Sequence, residues 1–378
     1  MANQFVFYGK IVPAKATEKF APIERKKYQS GWTNTICKFN VLSGTNRIMC
    51  VTQGGKWEDD SRNVIKTTGQ IPEGKKKRET VTISWDKRFD QDQIDKVAGF
   101  RHYVVDLDDS RKRYKLRDLV EAFKKGNDTS KLIEETGCNT LAEAQELLEK
   151  SEKRRHVFIT TYDFAEYMTK VVTSDKIKDK IFKISGNQEI SYSNGKFYSN
   201  YVVNRVELMP DAAPDTNMIV DFYFTKDCIN EDNNVARISG WSKYYDSGIK
   251  KSGFYPVSIA IRNEKDINLA KKRFVADTDE VMNIGITVNV INGADSVRIT
   301  MDDLDDETKE NIEAGWTTFE KVVREMGGNK IGEHISELRF SGLNMRQNKG
   351  KTDHTTFSVD NMTPAIKVAQ VEDEEEDL

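Results

Sequence analysis

Cysteine and histidine are scarce, with four of each in 378 residues, and neither set is spaced to hold a metal. Cys37, Cys50, Cys138 and Cys228 contain no C-x-x-C pair, and so few thiols in so long a chain give no disulfide framework, as expected in a reducing compartment. His102, His156, His334 and His354 show neither H-x-x-x-H nor H-x-E spacing. No run approaches the roughly 18 apolar residues of a membrane span, so no membrane partner is expected. The start, MANQFVFYGKIVPAK, has no basic segment followed by a long apolar one, which predicts no secretory signal and a cytoplasmic protein, in the host cytoplasm if viral. A glycine period and sustained heptads are also missing, which excludes collagen-like and coiled-coil chains.

The signatures of catalysis are equally thin. G-x-S-x-G, H-E-x-x-H and G-x-G-x-x-G do not occur. Residues 69–76, GQIPEGKK, approach a phosphate-binding loop, but Lys76 stands where a hydroxyl would meet Mg²⁺, and the strand–loop–helix context is missing. Asp106, Asp108 and Asp109, and Asp302, Asp303, Asp305 and Asp306, are the acids a metal-dependent nuclease would use. The second group reads more simply as acids at a helix N-terminus. No enzyme activity, cofactor or metal is expected.

What is present is aromatic and charged. Eighteen Phe, 13 Tyr and 5 Trp are too many for a disordered chain, although 31% of residues are charged. The net charge of −3 hides an asymmetry. Glu372, Asp373, Glu374, Glu375, Glu376 and Asp377 precede Leu378 without a base, and the rest of the chain is mildly basic.

Residues 4–12, 32–42, 46–53, 81–85 and 102–107 have strand composition, with a tight turn at Ser43-Gly44-Thr45. A charged helical stretch follows from about 114 to 175, including a capping box at Thr140 and Glu143. Strands recur over 181–192, 196–209, 218–225, 235–245, 254–262, 284–291 and 334–343, with a hairpin turn at Asn194-Gly195. Ile312, Trp316, Phe319, Val323 and Met326 predict one amphipathic helix over 304–326, ended by Gly327-Gly328. The expected class is α+β and β-rich, with two small OB-like barrels; SH3-like barrels and sandwiches give similar patterns. The expected division is a first module over 1–113, a helical connector over 114–178, a second module over 179–300, a helix-plus-strand extension over 301–365 and a disordered acidic tail over 366–378. An internal repeat of the two modules is conjectural.

One strand concentrates chemistry. Alternation puts Arg237, Ser239, Trp241, Lys243 and Tyr245 on one face, two cations and two large rings. Such a face suits single-stranded nucleic acid, whose bases stack on rings for about 1–3 kcal/mol each while phosphates meet Lys and Arg. The plainer reading is cross-strand packing with solvated cations. Lys250, Lys251, Phe254 and Tyr255 follow in the next loop, and Lys196, Tyr201 and Arg205 mix with apolar neighbours on 196–209. Lys10, Trp32, Lys38, Lys26 and Lys27 would form a second groove wall, and Lys75-Lys76-Lys77-Arg78 is either a phosphate-contacting loop or a solubilising turn.

These features together, β-rich modules, the mixed strand 235–245, no catalytic motif and the ending VEDEEEDL, resemble the larger single-stranded DNA-binding proteins of tailed bacteriophages. The resemblance implies sequence-tolerant cover of single-stranded DNA in replication or recombination, with Arg237, Trp241, Lys243 and Tyr245 as binding face. It also implies that Glu372–Asp377, with Leu378, contact replication or recombination proteins. The rival readings are a viral structural or scaffolding protein and a metal-dependent nuclease.

Overall fold

Side chains that alternate between oil and water set most of this molecule's strands. In the computed structural model, which describes residues 3–18, 20–232, 235–277, 280–298, 301, 304–325 and 329–366, Phe5, Phe7 and Ile11 of the first strand are buried on one face. The elements run β1 (Gln4–Pro13), β2 (Ile23–Lys27), β3 (Trp32–Ser43), β4 (Asn46–Trp57), β5 (Ile65–Thr68), β6 (Thr80–Ile83), α1 (Gln91–Lys96) and β7 (Tyr103–Asp106). Helices α2 (Ser110–Lys125), α3 (Ser130–Thr136) and α4 (Leu141–Glu152) come next, then β8 (Arg155–Phe158) and α5 (Thr161–Val172). The remainder is β9 (Ile181–Ser193), β10 (Lys196–Leu208), β11 (Asp215–Phe224), β12 (Ile229–Asp232), β13 (Val235–Asp246), β14 (Lys251–Ile261) and α6 (Glu264–Arg273). It closes with β15 (Met282–Arg298), α7 (Asp306–Glu313), α8 (Phe319–Glu325), β16 (Asn329–Leu343) and β17 (Asp353–His354).

The expectation of two separate small OB-like barrels is corrected here, while the α+β class stands. Fifteen strands belong to one hydrogen-bonded sheet, and only β5 and β6 pair apart from it among the described residues. The reason is a shared strand. Lys10–Pro13 of β1 pair with β3, whereas Gln4–Tyr8 of the same strand pair with β11, so one strand's edge serves both β-rich stretches. A second joint lies where Asn46 of β4 meets Gly293 of β15. The core follows the sheet: Phe5, Phe7 and Phe39 from the first stretch and Ile184, Phe222, Ile259 and Ile286 from the second lie in one continuous apolar cluster. Burial of such side chains is worth about 1.5–3 kcal/mol each and is what holds the halves together.

Within the sheet the pairing path returns on itself twice. β1–β3–β4–β10–β9 leads back to β1, and β11–β13–β14–β16–β15 leads back to β11. Each circuit is antiparallel except at one parallel joint, β4 with β10 and β14 with β16. The β3–β4 hairpin turns where the sequence places it, and Thr140 and Glu143 form the capping box of α4. Helices α2, α3 and α4 pack on each other around Leu116, Leu119, Val120, Cys138 and Ala144, apart from the main core. No helix among the described residues is long and apolar enough to cross a membrane.

The single helix expected over 304–326 is also corrected. Gly315, with φ of 77°, breaks it into α7 and α8, and Trp316 is 82% exposed instead of packed. Met326, Gly327 and Gly328 lie outside the described residues, as do Asp302 and Asp303. Asp305 caps α7, accepting from the Thr308 amide at 2.8 Å.

Candidate nucleic-acid interface

Strand β13 alternates as its sequence dictates. Ala236, Ile238, Gly240, Ser242 and Tyr244 are buried, while Arg237, Ser239 and Tyr245 are exposed and Trp241 and Lys243 half-exposed on the other face. Gly240 is required by the close approach of β11: a Cβ there would lie 2.3 Å from the Tyr223 carbonyl oxygen and 2.6 Å from the Phe222 ring. The outward face is not open along its whole length. Trp241 sits opposite Pro256 on β14 and Tyr223 on β11, at the edge of a small apolar cluster of Tyr223, Phe254, Val281 and Met362, with Phe357 beside it. The chain between β17 and Ile366 forms that cover. The Phe254 amide donates to the Thr363 carbonyl at 2.9 Å, the Ala365 amide to the Tyr244 hydroxyl at 3.0 Å, and the Lys243 ammonium lies 5.1 Å from the Phe357 ring centre. The polar composition of 344–366 gave no sign of this strap.

Beyond the strap the face opens. Tyr245 is 61% exposed, Lys250 follows in the turn to β14, and Lys251 begins that strand. A second hairpin tip meets this one. Asn194 and Gly195, both at positive φ (51° and 75°), reverse β9 into β10, and the Tyr192 ring meets the Phe197 ring at a tilt, with centres 4.8 Å apart. Phe197 lies 6.2 Å from each of Tyr244 and Tyr255, so the two tips share an aromatic contact. Tyr198, 49% exposed, and Lys196 stand on the outer side of the β10 tip. Between the tips lies a cleft of about 490 Å³ with Gln53, Asn187, Glu189, Asn200, Lys243 and Tyr245 among its walls. Loss of hydration in this concave site pushes the Glu189 carboxyl above its ordinary value.

Below the cleft a buried polar knot ties the two halves. The Asn3 side-chain amide donates to the Tyr255 hydroxyl at 2.7 Å and to Gln188 Oε1 at 3.1 Å, and its oxygen accepts from Ser242 Oγ at 3.2 Å. The Tyr255 hydroxyl donates to Gln188 Oε1 at 2.8 Å, and burial pushes its pKa up to about 12, so it stays a donor at neutral pH.

The cations expected to bind divide into two kinds. Those of the first stretch, and Arg205 of β10, already meet acids: Lys10 meets Asp179 at 2.8 Å, Lys26 and Lys38 share Glu24 at 2.8 and 2.7 Å, Lys27 meets Glu58 at 2.6 Å, and Arg205 meets Glu207 at 3.5 Å. Lys26 and then Lys38 hold the Glu24 carboxyl down at about 2. Arg237, Lys243, Lys250 and Lys251 make no ion pair among the described residues. Two rings are corrected with them. Tyr201 lies inward, edge-on to Phe5 and Phe7 at 5.3 Å, and Trp32 is half-buried over Gly55 and edge-on to Trp57 at 5.1 Å. The second groove wall is therefore not assembled. Its residues face their own carboxylates and each other.

The acids of the nuclease reading are held by bases or backbone. Asp106 receives both arms of Arg113 at 2.5 and 2.7 Å, Asp109 caps α2 and meets Arg111 at 3.0 Å, and Asp108 lies 3.8 Å from Arg154. Residues 69–76 connect the antiparallel β5 and β6 with no helix following. Glu372 to Leu378 lie outside the described residues, but the last described residues place the root of that tail: Ala365 packs against Gly253 of β14, at the candidate face. Sequence reasoning missed Tyr192, Phe197 and Tyr198, whose hairpin turn it had found, and Trp316, which it assigned to a helix face.

No protein-family model matches the sequence, and no curated protein matches it either.

Proposed function

We propose that the protein binds single-stranded DNA without sequence preference and is not an enzyme. The strand enters at the outward face of β13 and crosses the meeting point of the two hairpin tips. One observation carries this reading: Arg237, Lys243, Lys250 and Lys251 make no ion pair among the described residues, and the exposed Tyr245 follows Lys243 on the same face of β13, just before the turn that carries Lys250 and leads to Lys251. By contrast, Lys26 of β2 and Lys38 of β3 both meet Glu24. An unpaired set beside a ring is what phosphates and stacked bases require. The acidic tail, rooted at this face, is a competitor for it and a contact for replication or recombination proteins.

Labelled oligo-dT titrated with the protein at rising salt tests the reading. Four phosphate contacts on a single strand predict a slope of about −2.8 in log affinity against log salt, or about fifty-fold between roughly 50 and 200 mM. Lys250→Glu with Lys251→Glu should flatten that slope, and Tyr245→Ala should cost about 1–3 kcal/mol with the slope kept. Binding that ignores salt, or that survives all three changes, would overturn the proposal.

A further inference from the structure

Between β4 and β7 the chain builds a lobe around Ile83, Ile94 and Val97, packed on Val157 and Ile159 at the end of β8, and its surface shows an exposed aromatic bracketed by cations. Phe100 is 61% exposed, with the Arg78 guanidinium 5.1 Å and the Arg101 guanidinium 5.4 Å from its ring centre. Neither guanidinium meets a carboxylate among the described residues; Arg78 donates only to the Gly69 carbonyl, at 3.3 Å. Lys76 and Lys77 are exposed in the adjoining turn without ion pairs, while Lys75 is taken by Glu79.

The ring is held out by a fixed turn and not by a loose one. The Ala98 amide donates to the Thr68 carbonyl at 2.9 Å, the Arg101 amide to the Ala98 carbonyl at 2.7 Å, and His102 Nε2 contacts the Ile94 carbonyl at 3.1 Å. Val97 and Ala98 beneath are fully buried. A phenylalanine fixed in water between two unpaired guanidiniums forfeits its burial energy. It offers flat surfaces, ring and guanidinium planes alike, on which bases stack.

The lobe also lies on the line of the first site. Its turn runs straight into β7, which pairs with β10 from Val104 opposite Arg205, and β10 carries Lys196 and Tyr198 at its other end. Nine strand steps separate Lys196 from Arg205, about 30 Å at about 3.3 Å per residue.

We infer that this lobe is a second single-strand contact, with Phe100, Arg78 and Arg101 stacking bases and Lys76 and Lys77 taking phosphates. The inference rests on the single-strand reading above and adds a remote half to that site. It makes affinity depend on strand length. Full-length protein is titrated with oligo-dT of about 6 and about 30 nucleotides, below and above the span of one contact. Phe100→Ala, and separately Lys76→Glu with Lys77→Glu in the exposed turn, should weaken the long strand five- to thirty-fold and leave the short one unchanged. Wild-type affinity for the long strand in both variants overturns the inference alone. An equal loss at both lengths does so too, since it would put the lobe in the first site. Failure of the wild type to bind either length overturns the single-strand reading itself.

Discussion

Four thiols in this chain are buried, and their chemistry follows from that alone. Burial pushes Cys37 up to about 12 and Cys228 up to about 11, and raises Cys50 as well. In the unfolded chain a thiol loses its proton near 8.5. Below that pH both states hold the proton and the full stability is present. Above it the unfolded chain binds fewer protons than the folded one, so stability falls as pH rises toward 11–12. The urea midpoint should therefore drop between about pH 8.5 and 10.5, and drop less in Cys37→Ala with Cys228→Ala. Native thiols should resist alkylation at pH 8 and react once urea unfolds the chain. A flat midpoint, or fast native alkylation, would contradict the buried placement. At this scale much was legible: alternation alone put Arg237, Trp241, Lys243 and Tyr245 on one face of β13. It could not tell Tyr201 from Tyr245. Each has one polar and one apolar or aromatic neighbour in the chain, and only the strand opposite decides which ring meets Phe5 and Phe7 and which meets water.

Elements were legible where local chemistry sufficed. Capping residues located α4, and Asn194-Gly195 located the β9–β10 turn, because each acts on its own backbone. Reading failed where a local pattern competed with a backbone break or with a distant partner. The apolar spacing around Trp316 is helical, yet Gly315 takes the left-handed region and ends α7, leaving the indole in water. β2, IERKK, has no apolar alternation and is a strand because β3 offers it an edge. Asp106 and Arg113 show how an element is fixed by a group that looks catalytic. Their ion pair is almost wholly buried, and Ser151 accepts from Arg113 Nε at 2.9 Å, so β7, α2 and α4 are pinned at one point. Arg113→Ala strands a buried carboxylate and should cost about 3–5 kcal/mol in urea unfolding. Arg113→Met with Asp106→Leu should recover most of that. Equal losses in both would show that the geometry of the pair, and not the stranded charge, sets the stability.

The whole molecule departs from its one-dimensional pattern through β1. A strand read from sequence has a composition but no list of partners, and β1 divides its length between β3 and β11. That division turns two β-rich stretches into one sheet and one core, and it brings the tips of β9–β10 and β13–β14 together over the Asn3 knot. The same assembly lays 355–365 along β14, so that the chain leaves the described residues at Ile366 beside Tyr244 and Gly253. Six carboxylates follow within 11 residues of that point. On the proposed single-strand reading, carboxylates joined to the site by so short a stretch of chain compete with phosphates for Lys243, Lys250 and Lys251. Truncation after Gln370 should therefore tighten oligo-dT binding several-fold at low salt and have little effect at high salt, where screening already weakens the tail. The strap stays in place in such a chain, which separates loss of charge from loss of the Phe357 cover. The discriminating measurement is the salt series: an affinity gain that persists undiminished at high salt would mean that the tail acts through something other than its charge.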